Sequence, residues 1–266
     1  MIPGQALVMA IQGPEAAAIV SSLARSGGLM LAAPALASEA APPLLKIFIC
    51  LGLALAIAPH PVAGSLDAGG AATVLVLASE MLVGAVIGFG ARVILSAAEG
   101  AGDLIGYQTG MSMSQVLDPL TNQSLNPIAL LEGTVATQVF IAAGGIGFMA
   151  IALARSYAVV PAMSLVHPAA AGIRIASLGA WVVEGSLLLV APAILAGLLL
   201  DLLMLVVART APALQLIAVA LPAKVLVGMI VLAAVTSRHA PALASLADRA
   251  RSEIEAILHA LAPLTS

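Results

Sequence analysis

Ile175–Val207 is the longest apolar run in the chain, holding only Glu184 and Asp201 as charges and Pro192 as a helix-disfavouring residue. About 20 apolar residues are enough to carry a helix across a bilayer. Two further long runs, Ala71–Ser96 and Ile128–Ala154, repeat the theme, and Leu44–Ala58 and Ala213–Val235 are shorter versions. Ala16–Leu36 is apolar but interrupted by Arg25, Gly27 and Gly28, which makes it a marginal span. A soluble domain carries roughly 25% charged residues, and here the figure is 9%, with 62% hydrophobic. The chain is therefore membrane-inserted or buried in a larger assembly. Aromatic residues are only 3%, too few for the Trp/Tyr belt of a lipid-exposed bundle.

Several function classes fall away on the same grounds. A formal net charge of −3 gives no electrostatic footprint for nucleic acid. The single cysteine, Cys50, sits in an apolar run and implies neither a disulfide framework nor a metal site. His60, His167, His239 and His259 are scattered, which argues against a metal centre, and no cofactor motif is visible. No HExxH, GxSxG or Walker loop occurs, and Ser96, Ser112 and Ser114 have no evident base. The expectation is a protein that is not an enzyme and needs no cofactor.

The expected fold is all-α. About six long apolar segments are arranged as helical hairpins, with an amphipathic helix at the C-terminus. Met1–Glu15 has no basic n-region or cleavage pattern, so no signal peptide is read. Pro192 and Pro222 are expected to break their helices, as is the Gly144-Gly145-Ile146-Gly147 stretch. From His239 onward Leu246, Ala250, Ile254, Ile257 and Leu261 keep a helical period, while Asp248, Arg249, Arg251, Glu253 and Glu255 take the other face. Residues 1–238 are thus expected to form one hydrophobic domain and 239–266 a terminal helix. Arg155, Arg174, Arg238, Arg249 and Arg251 fall on one side of the implied topology, which places the C-terminus in the cytoplasm.

Charges inside apolar helices are costly and normally face a bundle interior or a water-filled cavity. Glu80 and Arg92 lie in the third run, and Arg92, Glu99 and Asp103 fall at i, i+7 and i+11 near one helix face. Either an ion-pair rung that orients helices or a coupled proton site fits that spacing. Between the runs lies the stretch 98–127, with three acids and no Lys or Arg. Gly102, Gly106 and Gly110 recur every four residues, a bare stripe where another backbone can approach. Beyond Gly110 the pattern dissolves into Met111-Ser112-Met113-Ser114-Gln115-Val116-Leu117-Asp118-Pro119 and a Thr/Asn/Gln/Ser cluster, a polar loop.

Two blocks of residues resemble the FliR/SctT family of flagellar and virulence type III export-gate proteins. The first is Glu80-Met-Leu-Val-Gly84, Gly88-Phe89-Gly90-Ala91-Arg92, Ala101-Gly102-Asp103 to Gly110 and Leu117-Asp118-Pro119. The second is Ala208-Arg209-Thr210-Ala211-Pro212, Leu221-Pro222-Ala223-Lys224 and Val227-Gly228. The resemblance implies a non-enzymatic channel subunit of the bacterial inner membrane, at the flagellar basal body or a type III secretion base. Its implied partners are FliP-like and FliQ-like subunits, FlhB-like and FlhA-like components, and unfolded secretion substrates. It further implies that a plug loop, here about residues 110–122, obstructs the pore; separately from the resemblance, Glu80, Arg92, Glu99, Asp103, Arg209 and Lys224 are expected to be buried charges or to pack in assembly. Met111 and Met113 suit a plug because unbranched, polarizable side chains fill irregular gaps and yield. Relatives often carry an aromatic at Met113, and Asn and Phe at Gln215 and Ile217. The rivals are a virulence-type SctT subunit, a structural subunit without a gate, and a secondary transporter using the buried carboxylates, whose inverted repeat is not evident.

Overall fold

The computed structural model describes residues 13–33, 42–58, 70–111, 126–166, 168–210 and 216–262. Among them are seven helices: α1 (Pro14–Ala32), α2 (Pro43–Ile57), α3 (Gly70–Thr109), α4 (Pro127–Ala142), α5 (Gly145–Val159), α6 (Pro168–Thr210) and α7 (Leu216–Leu261). No strand occurs among the described residues, as the helical periodicity requires. The six expected segments correspond only in part. α3 and α6 are each long and apolar enough to cross a membrane, and α4 with α5 forms a third candidate if the pair is one broken span. α2 and the Pro222–Ala234 part of α7 are apolar but shorter.

Three boundaries differ from expectation for identifiable reasons. α3 runs 40 residues from Gly70 to Thr109, so the apolar run that ends at Ser96 and the glycine stripe beyond it are one helix. Glycine costs a helix only about 1 kcal/mol per residue, and close packing along the stripe offsets that cost. α6 runs 43 residues straight through Pro192, and α7 runs 46 residues through Pro222 and Pro241. An interior proline removes one hydrogen bond and kinks a helix, and a long helix retains the turns on either side. The amphipathic C-terminal stretch is consequently the last part of α7. The Gly144 break is real: Gly144 adopts φ 78° and separates α4 from α5.

The chain forms two compact units. The first comprises residues 1–92, 144–178 and 248–266, and the second 93–143 and 179–247. In the first, α1 lies against α3 with the two backbones in near contact. A Cβ at Gly88 would sit 2.6 Å from the Leu29 carbonyl oxygen, and Cβ atoms at Gly28 and Gly84 would collide with the backbones of Met81 and Arg25. α1 also packs on α2, and Ile254 of α7 rests on Gly90. The core of this unit is small residues and branched aliphatics: Ala17, Leu29, Val83, Ile87, Leu153, Ile257 and Leu261 are all buried. Small residues permit this approach, and van der Waals packing then holds helices together even where lipid replaces water.

Candidate functional site

The second unit contains the glycine-striped end of α3 and both ends of the polar loop. α3 fastens to α6 through Ser186, whose hydroxyl donates to the Ala97 carbonyl at 2.9 Å while its side chain lies over Gly100. A turn further on, Gly102 meets α4: a Cβ there would stand 2.6 Å from Ala129 Cα and 2.9 Å from the Ile128 carbonyl oxygen. Gly106 holds a side chain, the carboxamide of Asn126, against the bare backbone. The stripe thus accepts the start of α4 rather than the middle of a helix.

Asn126 is buried and joins two elements. Its Oδ1 accepts from Ile128 N–H at 3.0 Å, capping α4, with Pro127 preset in the first helical position. Its Nδ2 donates to the Gly102 carbonyl at 3.2 Å and reaches the Asp103 carbonyl at 3.5 Å. A single side chain therefore ends the loop, begins α4 and ties both to α3. The other end of the loop is equally defined. Thr109, buried, donates its hydroxyl to the Ile105 and Gly106 carbonyls at 3.0 and 3.2 Å and packs on Gly228 of α7. Gln108 donates to the Ile194 carbonyl of α6 at 3.2 Å and lies over Gly197. Gly110 then turns the chain out of the helix with φ 77°, a conformation that glycine adopts without steric cost. Met111 follows, half-buried. Ser112, Met113, Ser114, Gln115, Val116, Leu117, Asp118 and Pro119 lie outside the described residues, as does Asn122.

The charged residues distribute differently from expectation. Glu80 is buried, 1% exposed, and its partner is Arg25, 0% exposed, with Nε donating to Glu80 Oε2 at 2.6 Å. The remaining valences of the pair are met nearby. Arg25 Nη1 donates to Ser156 Oγ at 2.8 Å, Nη2 to the Val160 carbonyl at 3.2 Å, and the guanidinium lies 3.9 Å from the Tyr157 ring centroid. Glu80 Oε1 accepts from the Met163 N–H at 2.7 Å, and Met163 holds φ 62°. A left-handed non-glycine residue costs on the order of 1 kcal/mol or more, which the charge-assisted bond to Glu80 offsets. α1, α3, the end of α5 and the segment after it are all pinned by this one ion pair.

Arg92, Glu99 and Asp103 do not form a rung. Residues seven and four apart along one helix lie roughly 10 and 6 Å apart in rise, and Arg92 is exposed with no ion pair among the described residues. Glu99 is exposed, its stem lying on Gly133 of α4, and Asp103 is half-buried. Arg209 is exposed on the single chain. Lys224 does pair, its Nζ standing 2.6 Å from Asp201 Oδ1 across α7 and α6, with both side chains partly exposed. Arg25 and Asn126 are the residues that sequence reasoning passes over as functional or pairing positions, whereas Asp201 is one of the acids of the transporter alternative. A signal for Arg25 is present: a lone arginine in an apolar run requires an acid somewhere in the core.

Fold and site together define a helical, membrane-type protein in which glycines bring helices into close contact within each unit. The chain belongs to the bacterial export proteins, family 1, which it matches over residues 16–250. It is similar to the flagellar biosynthetic protein FliR of Escherichia coli K12, 24% identical over 219 residues that cover 82% of this chain and 84% of that protein. The FliR protein of Caulobacter vibrioides is 27% identical over 216 residues, 79% of this chain and 84% of that one. That of Pectobacterium carotovorum is 26% identical over 204 residues, 77% and 78% respectively.

Proposed function

We propose that this chain is a non-enzymatic subunit of the flagellar type III protein-export gate in the bacterial inner membrane. Together with FliP-like and FliQ-like subunits it lines a channel for unfolded secretion substrates, beside FlhB-like and FlhA-like components. The loop of about residues 110–122 plugs that channel. Family membership and the flagellar names of the similar proteins support the system. The observation that supports the plug is the fixing of both its stems to α3, through Gly110 at one end and the Asn126 carboxamide at the other. The first residues of that loop suit the role, since Met111 and Met113 are unbranched and polarizable and stand among Ser112, Ser114 and Gln115.

The exposed leucines of α6 support an assembly partner or lipid on that face, since apolar patches beyond a few hundred Å² are rare on proteins that stay alone in water. Co-expression with the neighbouring FliP-like and FliQ-like proteins, followed by affinity purification of this chain, tests the reading. The expected result is a single complex containing all three. Failure to bind either neighbour, together with uptake of a small solute by vesicles holding this chain alone, would instead favour the transporter.

A further inference from the structure

In the first unit, α5 and the C-terminal part of α7 border a groove of about 490 Å³. Its wall is apolar, with Phe148 and Ile151 from α5 and Leu258 from α7. Two guanidiniums stand at this wall. Arg251 lies over the Phe148 ring at 4.6 Å. Arg155, one turn before the end of α5, is exposed and has no ion pair among the described residues. The carboxylate in the lining is Glu255, on α7 one turn beyond Arg251. Asp248 approaches Arg251 to 3.6 Å, but its side chain is 76% exposed, so water screens the pair and leaves Arg251 little engaged.

We propose that this groove binds an anionic phospholipid, with the acyl body along Phe148, Ile151 and Leu258 and the phosphate between Arg155 and Arg251. The charge complementarity selects the occupant: two guanidiniums against one carboxylate attract a phosphate, and Arg forms the planar donor fork that phosphate oxygens fit. The location selects a lipid over a soluble anion. α5 is half of an apolar pair long enough together to cross a membrane, and an arginine one turn before its end stands near where acyl chains give way to headgroups. The volume suits a headgroup with its first methylenes. Stacking on Phe148 holds the Arg251 guanidinium in place before the lipid arrives, which lowers the ordering cost. Lipid binding in this groove does not depend on the export-gate role.

Native mass spectrometry of the full chain in neutral detergent, titrated with phosphatidylglycerol or phosphatidylcholine, tests it. Wild type is expected to retain phosphatidylglycerol about tenfold more strongly, the scale set by two basic side chains acting on one anionic headgroup. Arg155→Gln/Arg251→Gln is expected to abolish the preference, whereas Arg92→Gln/Arg209→Gln, which removes the same charge elsewhere, retains it. Ile151→Trp, which fills the groove and leaves both guanidiniums, is expected to weaken retention of both lipids. Equal retention of the two lipids by wild type, equal loss in both double variants, or unchanged retention in Ile151→Trp would overturn the proposal. So would displacement of phosphatidylglycerol by millimolar inorganic phosphate, which would identify a free-anion site.

Discussion

Helices α3 and α6 are nearly equal in apolar character and opposite in how they use it. The mean hydropathy of their most apolar stretches is 2.1 and 2.5, yet 44% of the first is buried within the chain and only 11% of the second. The difference lies in which small and large residues alternate along them. α3 carries glycines where α1 and α4 meet it: Gly84 and Gly88 against α1, Gly102 against α4, and Gly106 against Asn126 at the start of α4. α6 carries leucines that face outward, with Leu195, Leu199 and Leu202 at least 60% exposed; its Gly185 and Gly197 meet Ala97 and Gln108 of α3, but Gly172 and Gly179 meet nothing within 4 Å. Hydropathy alone reports that both helices avoid water. The glycine crossings of α3 are filled by elements of the same chain, and the outward leucine face of α6 is left for lipid or another subunit.

Matched substitutions on the two helices should break this symmetry most visibly. Gly84→Leu drives a side chain into the Arg25 backbone, where relief requires the helices to separate. The expected result is loss of the folded chain, with destabilisation of 3 kcal/mol or more on the order of severe overpacking. Gly179→Leu, on open α6 surface, is expected to change stability by no more than about 0.5 kcal/mol. Thermal unfolding in detergent, followed by helical circular dichroism, measures both. Equal effects would show that α3 is not an internal strut.

The buried ion pair gives the next largest effect. Removing one partner leaves an uncompensated buried charge, so Arg25→Met and Glu80→Met are each expected to cost about 3–5 kcal/mol. The double variant should recover much of that loss, because two apolar side chains can occupy the space without a desolvated charge. Recovery in a double-mutant cycle is the measurement, and additive losses would mean that Arg25 acts through Ser156 and Tyr157 more than through Glu80.

How far these features are legible in the sequence varies with their physical origin. The all-helical class and the apolar runs are written in composition and period, because water exclusion acts on every residue of a segment. The Gly144 break and the exit at Gly110 are legible because glycine marks a positive φ. Helix lengths are not, since Pro192 and Pro222 look like breaks and long helices absorb an interior proline. The glycine stripe is visible, but its occupant is not: Asn126 stands among Thr, Asn, Gln and Ser residues with equal claims to be a cap. Spacing also misleads at Arg92, Glu99 and Asp103. A shared helix face looks like an ion-pair rung, whereas Glu80 finds its partner 55 residues earlier in the chain, on another helix.

Two smaller effects sharpen the comparison. Asn126→Ala removes the cap of α4 and its bonds to the α3 carbonyls, an expected loss of about 1–2 kcal/mol. If the stems hold the plug in register, this variant should also raise ion leak through the assembled gate without preventing assembly. Leu199→Ala, on the outward face of α6, is expected to change the stability of the isolated chain by about 0.5 kcal/mol or less. Its effect should emerge instead in the yield of complex with the FliP-like and FliQ-like subunits. A large stability loss in the isolated chain would indicate that this face is covered from within.

The most direct test is ion conductance of the reconstituted complex with and without residues Met111–Gln115. The expected result is a complex that assembles in both cases, stays closed with the loop intact, and conducts ions once those five residues are deleted. A deletion complex that assembles normally and remains as tight as the intact one would contradict the plug, and with it the role of the stems at Gly110 and Asn126.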